Sequence, residues 1–189
     1  MATAIPKDMT ADEFLVWNLS RDQRYELIDG VPVPLRAMAG ASNYHDDIVT
    51  NLIAALRTKL RGSGCKPRTA DTALRTAIKR VRRPDVTVDC GDSRPDSYES
   101  AKPTAVFEVL SPSTHKIDGG VKLSEYLRHP TLRTIVHIDP DSLEVAVFQR
   151  DDAGQWSEFI LDAPDDRIAI AGTPVELTLA EIYDGVPIA

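Results

Sequence analysis

The segment Ala105-Val106-Phe107-Glu108-Val109-Leu110 carries apolar side chains at both odd and even positions. Successive residues of a strand point to opposite faces, so such a run is stable only where both faces are covered. This stretch therefore commits the chain to a layered architecture in which an interior strand lies between other elements. It also sets a carboxylate, Glu108, in the middle of that strand. A charge taken out of water costs several kcal/mol even after the surroundings relax. Glu108 thus calls for a compensating cation, either a buried arginine or a metal ion.

The flanking sequence supplies the other layers. MTADEFLVWN reads as a helix capped by Thr10, with Glu13 completing a capping box. RYELIDGVPVPL reads as a hairpin turning at Asp29-Gly30, and Pro32 and Pro34 mark its return strand as an edge. Ser42 opens a long helix to about Arg61, with Ile48, Leu52, Ala55, Leu56 and Leu60 on one stripe and Gly62 and Gly64 closing it. KPRTAD, TALRTAI and DVTVDC are β-like, and the polar loop GDSRPDSYESAKPT leads into the Glu108 strand. A helix is expected over roughly Asp118–Arg128, with Val121, Leu123, Tyr126 and Leu127 as its apolar side. TIVHID and LEVAVFQR read as strands joined at Asp139-Pro140-Asp141. Trp156–Leu161 reads as a further strand, and TLAEIYDG as a short final helix capped by Thr178. Strands and helices interleave, so the expected class is α/β or α+β, a central mixed sheet flanked by helices, in one domain spanning 1–189.

Bulk properties narrow the function. No apolar run approaches the roughly 20 residues of a membrane span, and MATAIPKDMT lacks the basic start and apolar stretch of a secretory signal. Two cysteines, Cys65 and Cys90, are too few for a disulfide scaffold or a structural zinc site, and they fit a reducing, cytoplasmic setting. From Arg57 to Arg83 ten basic residues accompany one acidic one, Asp71; this +9 segment leaves −16 for the rest of a chain whose net charge is −7. Such asymmetry points to a polyanion partner, or to a solvated basic face balanced by acidic neighbours.

Three further side chains belong with Glu108. Asp85 follows Pro84 and shares a strand face with Thr87 and Asp89, opposite Val86 and Val88. By itself it reads equally as an exposed strand residue or a turn cap. Glu26 sits in Arg24-Tyr25-Glu26-Leu27-Ile28, either a hairpin surface residue or a third acidic group of a site. Lys122 follows Asp118 at i, i+4, the spacing of a surface ion pair. A lysine reaching back over the sheet edge would instead orient water and offset charge on a phosphate. Hard oxygen ligands of this kind suit Mg²⁺ or Mn²⁺. His45, early in the long helix, is either solvent-facing or at the edge of the site. His115, His129 and His137 show no ligand spacing, and Ser111 and Ser113 have no partner histidine.

YELIDG, a long helix, RRPDVTV, FEVLSPST, the Asp118/Lys122 pair and IVHIDP follow one another in an order that resembles the Uma-two family of predicted endonucleases, within the PD-(D/E)XK restriction-endonuclease-like superfamily. The resemblance runs from about Met9 to about Phe148. It implies a mixed sheet flanked by helices with the active site at one sheet end. On that resemblance Asp85 is the motif aspartate, Glu108 the acidic residue of the (D/E)XK element and Glu26 the acidic residue of the first strand. Asp85 and Glu108 would hold Mg²⁺ (or Mn²⁺) with the Val109 carbonyl. Leu110 stands where the superfamily pattern has lysine, and Lys122 is the residue that would replace it. The implied activity is metal-dependent hydrolysis of DNA phosphodiester bonds, with the 57–83 segment on the phosphates. The departure at Leu110 motivates an alternative, a catalytically degenerate nucleic-acid-binding or regulatory module. Pairing of the carboxylates with Arg24, Arg80, Arg82 and Arg83 would instead fit a protein-interaction domain. A sheet edge and the apolar tail Val186-Pro187-Ile188 would serve a homodimer.

Overall fold

The computed structural model describes residues 7–35, 42–92, 94–110 and 118–188. At its centre β7 (Pro103–Val109) is buried at all seven positions, as its two-sided apolar pattern requires. β7 pairs in antiparallel fashion with β6 (Val86–Asp89) and in parallel with β8 (Thr134–Ile138). Outside these lie β3 (Lys66–Thr69) on one flank and β9 (Val145–Arg150) and β10 (Trp156–Leu161) on the other. The result is a six-stranded mixed sheet in the order β10-β9-β8-β7-β6-β3. A second sheet runs β2 (Val31–Pro34), β1 (Tyr25–Ile28), β5 (Arg80–Arg82), β4 (Leu74–Ala77). β11 (Arg167–Ala169) and β12 (Glu176–Thr178) form a small hairpin.

Alternation along β7 assigns the two faces of the large sheet. Ala105, Phe107 and Val109 join Val86, Val88, Val136 and Ile138 beneath Ile48, Leu52 and Leu56 of α2 (Asn43–Lys59), with Leu179 and Ile182 of α4 (Leu179–Ile182) in the same cluster. Val106 points the other way, into a cluster with Ile135, Leu132, Phe148, Leu74 and Tyr126 of α3 (Leu123–Leu127). Glu108 follows the parity of Val106 and so faces α3. The second sheet packs Leu27 and Val81 against Phe14 of α1 (Ala11–Asn18).

The capping boxes at Thr10/Glu13 and Thr178/Glu181 and the Ser42 cap of α2 are present as expected. The Asp29-Gly30 turn is present with both residues at positive φ. Four expectations need correction. The Asp85 side of β6 is not solvent-facing, since Thr87 and Asp89 are buried and Asp89 accepts the backbone N–H groups of Gly91, Ala101 and Lys102. The helix expected from Asp118 begins as a five-residue π-helical turn, Asp118–Lys122, and Val121 is 53% exposed rather than packed. Asp118 and Lys122 therefore lie within wider helical geometry than an i, i+4 reading assumes. Cys65 and Cys90 are bonded to each other as a disulfide. They stand one step beyond the Lys66–Asp89 pair of the β3–β6 ladder, so cross-strand register brings them together and cysteine number no longer bears on compartment. The tail's Val186 is buried and Ile188 packs on the main core, so these side chains are occupied within the chain.

Candidate active site

Three strands of two sheets and one helical turn carry the expected residues. Glu26 comes from β1, Asp85 from the approach to β6, Glu108 from β7, and Lys122 from the π-helical turn ahead of α3. Glu26, Glu108 and Lys122 are all buried. Lys122 Nζ lies 3.4 Å from each carboxylate oxygen of Glu108 and 3.8 Å from Glu26 Oε1. Asp85 is joined to the same place through the backbone: its Oδ2 accepts the amide N–H of Val109, the residue after Glu108, at 2.8 Å. His45 Nε2 approaches the same Oδ2 at 3.4 Å from the first turn of α2. His45 thus lies beside Asp85, with its side chain 19% exposed.

Two residues of this cluster, Tyr126 and Glu125, were not among the site candidates, and Arg82 was named only as a possible partner of the carboxylates. Tyr126 sits one helical turn after Lys122 and is fully buried; its hydroxyl donates to Glu108 Oε1 at 2.6 Å. Burial, and then the charges of Glu108 and Glu26, push its phenol well above the ordinary range, so it stays a donor. Arg82 of β5 is 1% exposed and lies between two carboxylates. Its Nη1 donates to Glu26 Oε2 at 3.0 Å, while Nε and Nη2 grip both oxygens of Glu125 at 2.8 and 2.6 Å. Burial works against its charge, but Glu125 and Glu26 outweigh that and hold the guanidinium above its usual value. Glu125 also accepts from Thr76 Oγ1 at 2.7 Å; burial raises its carboxyl, yet the Arg82 hydrogen bonds prevail and hold it below the usual value. The backbone N–H of Arg83 completes Glu26, donating to Oε1 at 3.1 Å. The signals for these residues were available only in part. A buried tyrosine hydroxyl needs a partner, but which one depends on the packing of α3 against β7.

The arginine-pairing reading thus describes part of the cluster, since Arg82 holds Glu26, while Glu108 is met by a lysine and a phenol. The cluster gathers four carboxylates (Glu26, Asp85, Glu108, Glu125) with the buried cations Arg82, Arg83 and Lys122. Arg80 also reaches Glu125, at 3.5 Å, but is shared with Asp29. The carboxylate oxygens are hard ligands, of the kind a divalent ion takes. Among the described residues no three His, Cys, Asp or Glu side chains gather as a ready cage. Mg²⁺ takes one or two carboxylates and keeps several waters, so it does not need such a cage. The expectations at Ser111, Ser113 and His115, and on the side chain of Asp118, fall outside the described residues.

The basic segment is largely consumed within the chain. Arg75 binds Asp12 and Glu99, Lys79 binds Asp8, Arg80 binds Asp29, and Lys59 binds Glu181. Arg82 is buried as above, and Arg83 donates to the carbonyls of Tyr25, Ala70 and Asp71. Arg57 and Arg61 are exposed but lie near the far end of α2 from His45, roughly 20 Å away at about 1.5 Å per residue. Among the described residues no helix is long and apolar enough to cross a membrane.

Residues 11–181 match the family model Uma2, described as "Putative restriction endonuclease". An uncharacterized protein of Synechocystis sp., slr1290, is 27% identical over 180 residues, covering 94% of this chain and 93% of its own. A second uncharacterized Synechocystis protein, sll1609, is 28% identical over 160 residues, covering 82% and 89%. The mixed six-stranded sheet with helices on its faces agrees with the restriction-endonuclease-like core that the sequence order implies.

Proposed function

The chain belongs to the Uma2 family, and from that footing we propose that it is a single-domain, divalent-metal-dependent endonuclease that hydrolyses phosphodiester bonds of DNA. The observation that carries this reading is the meeting of Glu26, Glu108 and Lys122 in a buried spot at a sheet end, with Asp85 hydrogen-bonded to the neighbouring Val109 amide. Asp85 and Glu108 are the residues to hold Mg²⁺ or Mn²⁺. Such an ion, when bound, polarises a phosphate and acidifies a water.

The protein's own groups do the rest. The Val109 amide fixes Asp85, and Tyr126 fixes Glu108, so both carboxylates are oriented before any ligand arrives. Lys122, drawn between Glu108 and Glu26, is the cation placed to neutralise charge that builds on a phosphate oxygen. Glu26 acts on Lys122 from behind and is itself held by Arg82 and the Arg83 amide. With most of the 57–83 cations engaged internally, DNA binding rests on the few exposed ones and on the site itself, and is salt-sensitive. A homodimer would let two such sites address both strands of a duplex.

Native protein with Mg²⁺ or Mn²⁺ is expected to nick or linearise plasmid DNA, and Asp85→Ala to abolish this. Intact DNA with both proteins contradicts the proposal. The position of Lys122, equidistant from both Glu108 oxygens, favours a second reading in which the lysine takes the cation's place and the domain binds nucleic acid without cutting it. Salt-sensitive DNA binding together with no heat of Mn²⁺ binding selects that second reading.

A further inference from the structure

We propose that the cavity at the C-terminal end of α1 binds a single phosphate group through Arg83 and Arg21, an inference independent of the metal reading above. The cavity measures about 150 Å³. At roughly 30 Å³ per water that is room for about five waters or one phosphate group, and it falls short of the roughly 300 Å³ that a drug-sized ligand needs. Strand alternation places Arg83 there. Arg82 turns to Glu26 and Glu125, Val81 packs with Phe14 of α1, and Arg83 follows the parity of Val81. Its backbone N–H holds Glu26 at 3.1 Å, while its side chain lines the cavity on the α1 face of the small sheet.

Arg83 is 6% exposed, yet among the described residues no carboxylate forms an ion pair with its guanidinium. Nε donates to the Tyr25 carbonyl at 3.0 Å, and Nη1 to the carbonyls of Ala70 and Asp71 at 3.0 and 2.7 Å. Nη2 has no acceptor among the described residues. Carbonyls satisfy N–H groups without cancelling the charge, and a buried charge is ordinarily paired, as that of Arg82 is. Burial, and next the charge of Arg24, outweigh Asp71 and Glu26 and hold the Arg83 guanidinium below its usual value. The Asp71 carboxylate on the cavity wall is engaged by Arg24 at 2.7 Å, and Asp22, also on the wall, is exposed. Arg21 brings a second guanidinium with no carboxylate partner among the described residues. Its Cζ lies 4.5 Å from the centre of the Trp17 ring, and its buried Nε has no acceptor. Guanidinium forks are the donors that match phosphate oxygens, which would supply both the acceptors and the negative charge that these two arginines lack.

Calorimetric titration with inorganic phosphate, at constant ionic strength and without metal, tests this on the native protein, Arg83→Met, Arg21→Met and Arg57→Met. Arg57 is exposed on α2 and outside the cavity, so it controls for the loss of one charge. Arg83→Met and Arg21→Met are each expected to weaken binding by roughly tenfold or more, the scale of one hydrogen bond to a charged group, and Arg57→Met to leave it unchanged. DNA binding by the same four proteins, followed against salt, identifies the source of the phosphate. A loss of DNA affinity beyond that of Arg57→Met, with a salt slope smaller by about one, assigns the cavity to a backbone phosphate. A loss confined to inorganic phosphate assigns it to a free phosphate compound. Either result supports the site. Should Arg83→Met fail to fold, Arg21→Met, at a half-buried position, decides alone. Losses no larger than that of Arg57→Met on both ligands, or a native protein that binds neither, overturn the proposal, whatever the outcome with Mg²⁺ or Mn²⁺.

Discussion

Arg82 shows why single residues matter here beyond their contact lists. It is almost wholly buried and holds Glu26 and Glu125 in one fork. Removing one partner of a buried pair leaves an uncompensated charge, at a cost of about 3–5 kcal/mol. Arg82→Met is therefore expected to lower the urea-unfolding free energy by that order. Arg24→Met, whose ion pair with Asp71 lies at the surface with side chains 40% and 67% exposed, should cost less than about 1 kcal/mol. Similar losses for the two variants would contradict the account of the network. At this scale the sequence was partly legible. Glu108 declared itself because its neighbours are apolar on both sides, and Glu26 and Lys122 joined it as candidates. Glu125 and Tyr126 did not, because one reads as an ordinary helix acid and the other as a core ring. Only the docking of α3 onto β7 and β5 turns their polar atoms toward the site.

At the scale of elements, the Asp29-Gly30 turn does more than reverse the chain. Its Gly30 carbonyl accepts the Met9 amide at 2.9 Å, so the start of α1 is fastened directly to the hairpin that carries Glu26. Gly30 has φ +81°, and a Cβ there would stand 3.0 Å from the backbone Cα of Asp8. Gly62 has nearly the same φ, +79°, but open space around it. Gly30→Ala is expected to destabilise the protein by more than about 1 kcal/mol in thermal or urea unfolding, and by more than Gly62→Ala, because it adds a steric clash to the strained φ. Equal effects would show that the close approach is relaxed at no cost. Elements with strong local signals were read correctly: capped helices, the Asp-Gly hairpin and the strands around Glu108. β5 escaped because Arg80-Val81-Arg82 is short and basic, and its strand state is set by pairing with β1 and β4. The π-helical turn escaped because Gly119-Gly120 weakens helix formation without specifying what replaces it.

For the whole molecule, charge patterning was the least faithful guide. A +9 segment suggested an open polyanion surface, yet six of its ten cations are tied to carboxylates or carbonyls of the same chain. Linear charge counts cannot register pairing across 40 or more residues, such as Arg80 with Asp29 or Lys79 with Asp8. Hydrophobic periodicity fared better because each strand and helix must bury its own stripe. What unites the fold is that two sheets and α3 converge on one buried cluster of carboxylates and cations. The most direct measurement is the anomalous difference map of a crystal of the native protein soaked in Mn²⁺. The account predicts a peak shared by Asp85 and Glu108, with Tyr126 still on Glu108 Oε1. A map without density there, and Lys122 unmoved across both oxygens of Glu108, would contradict it.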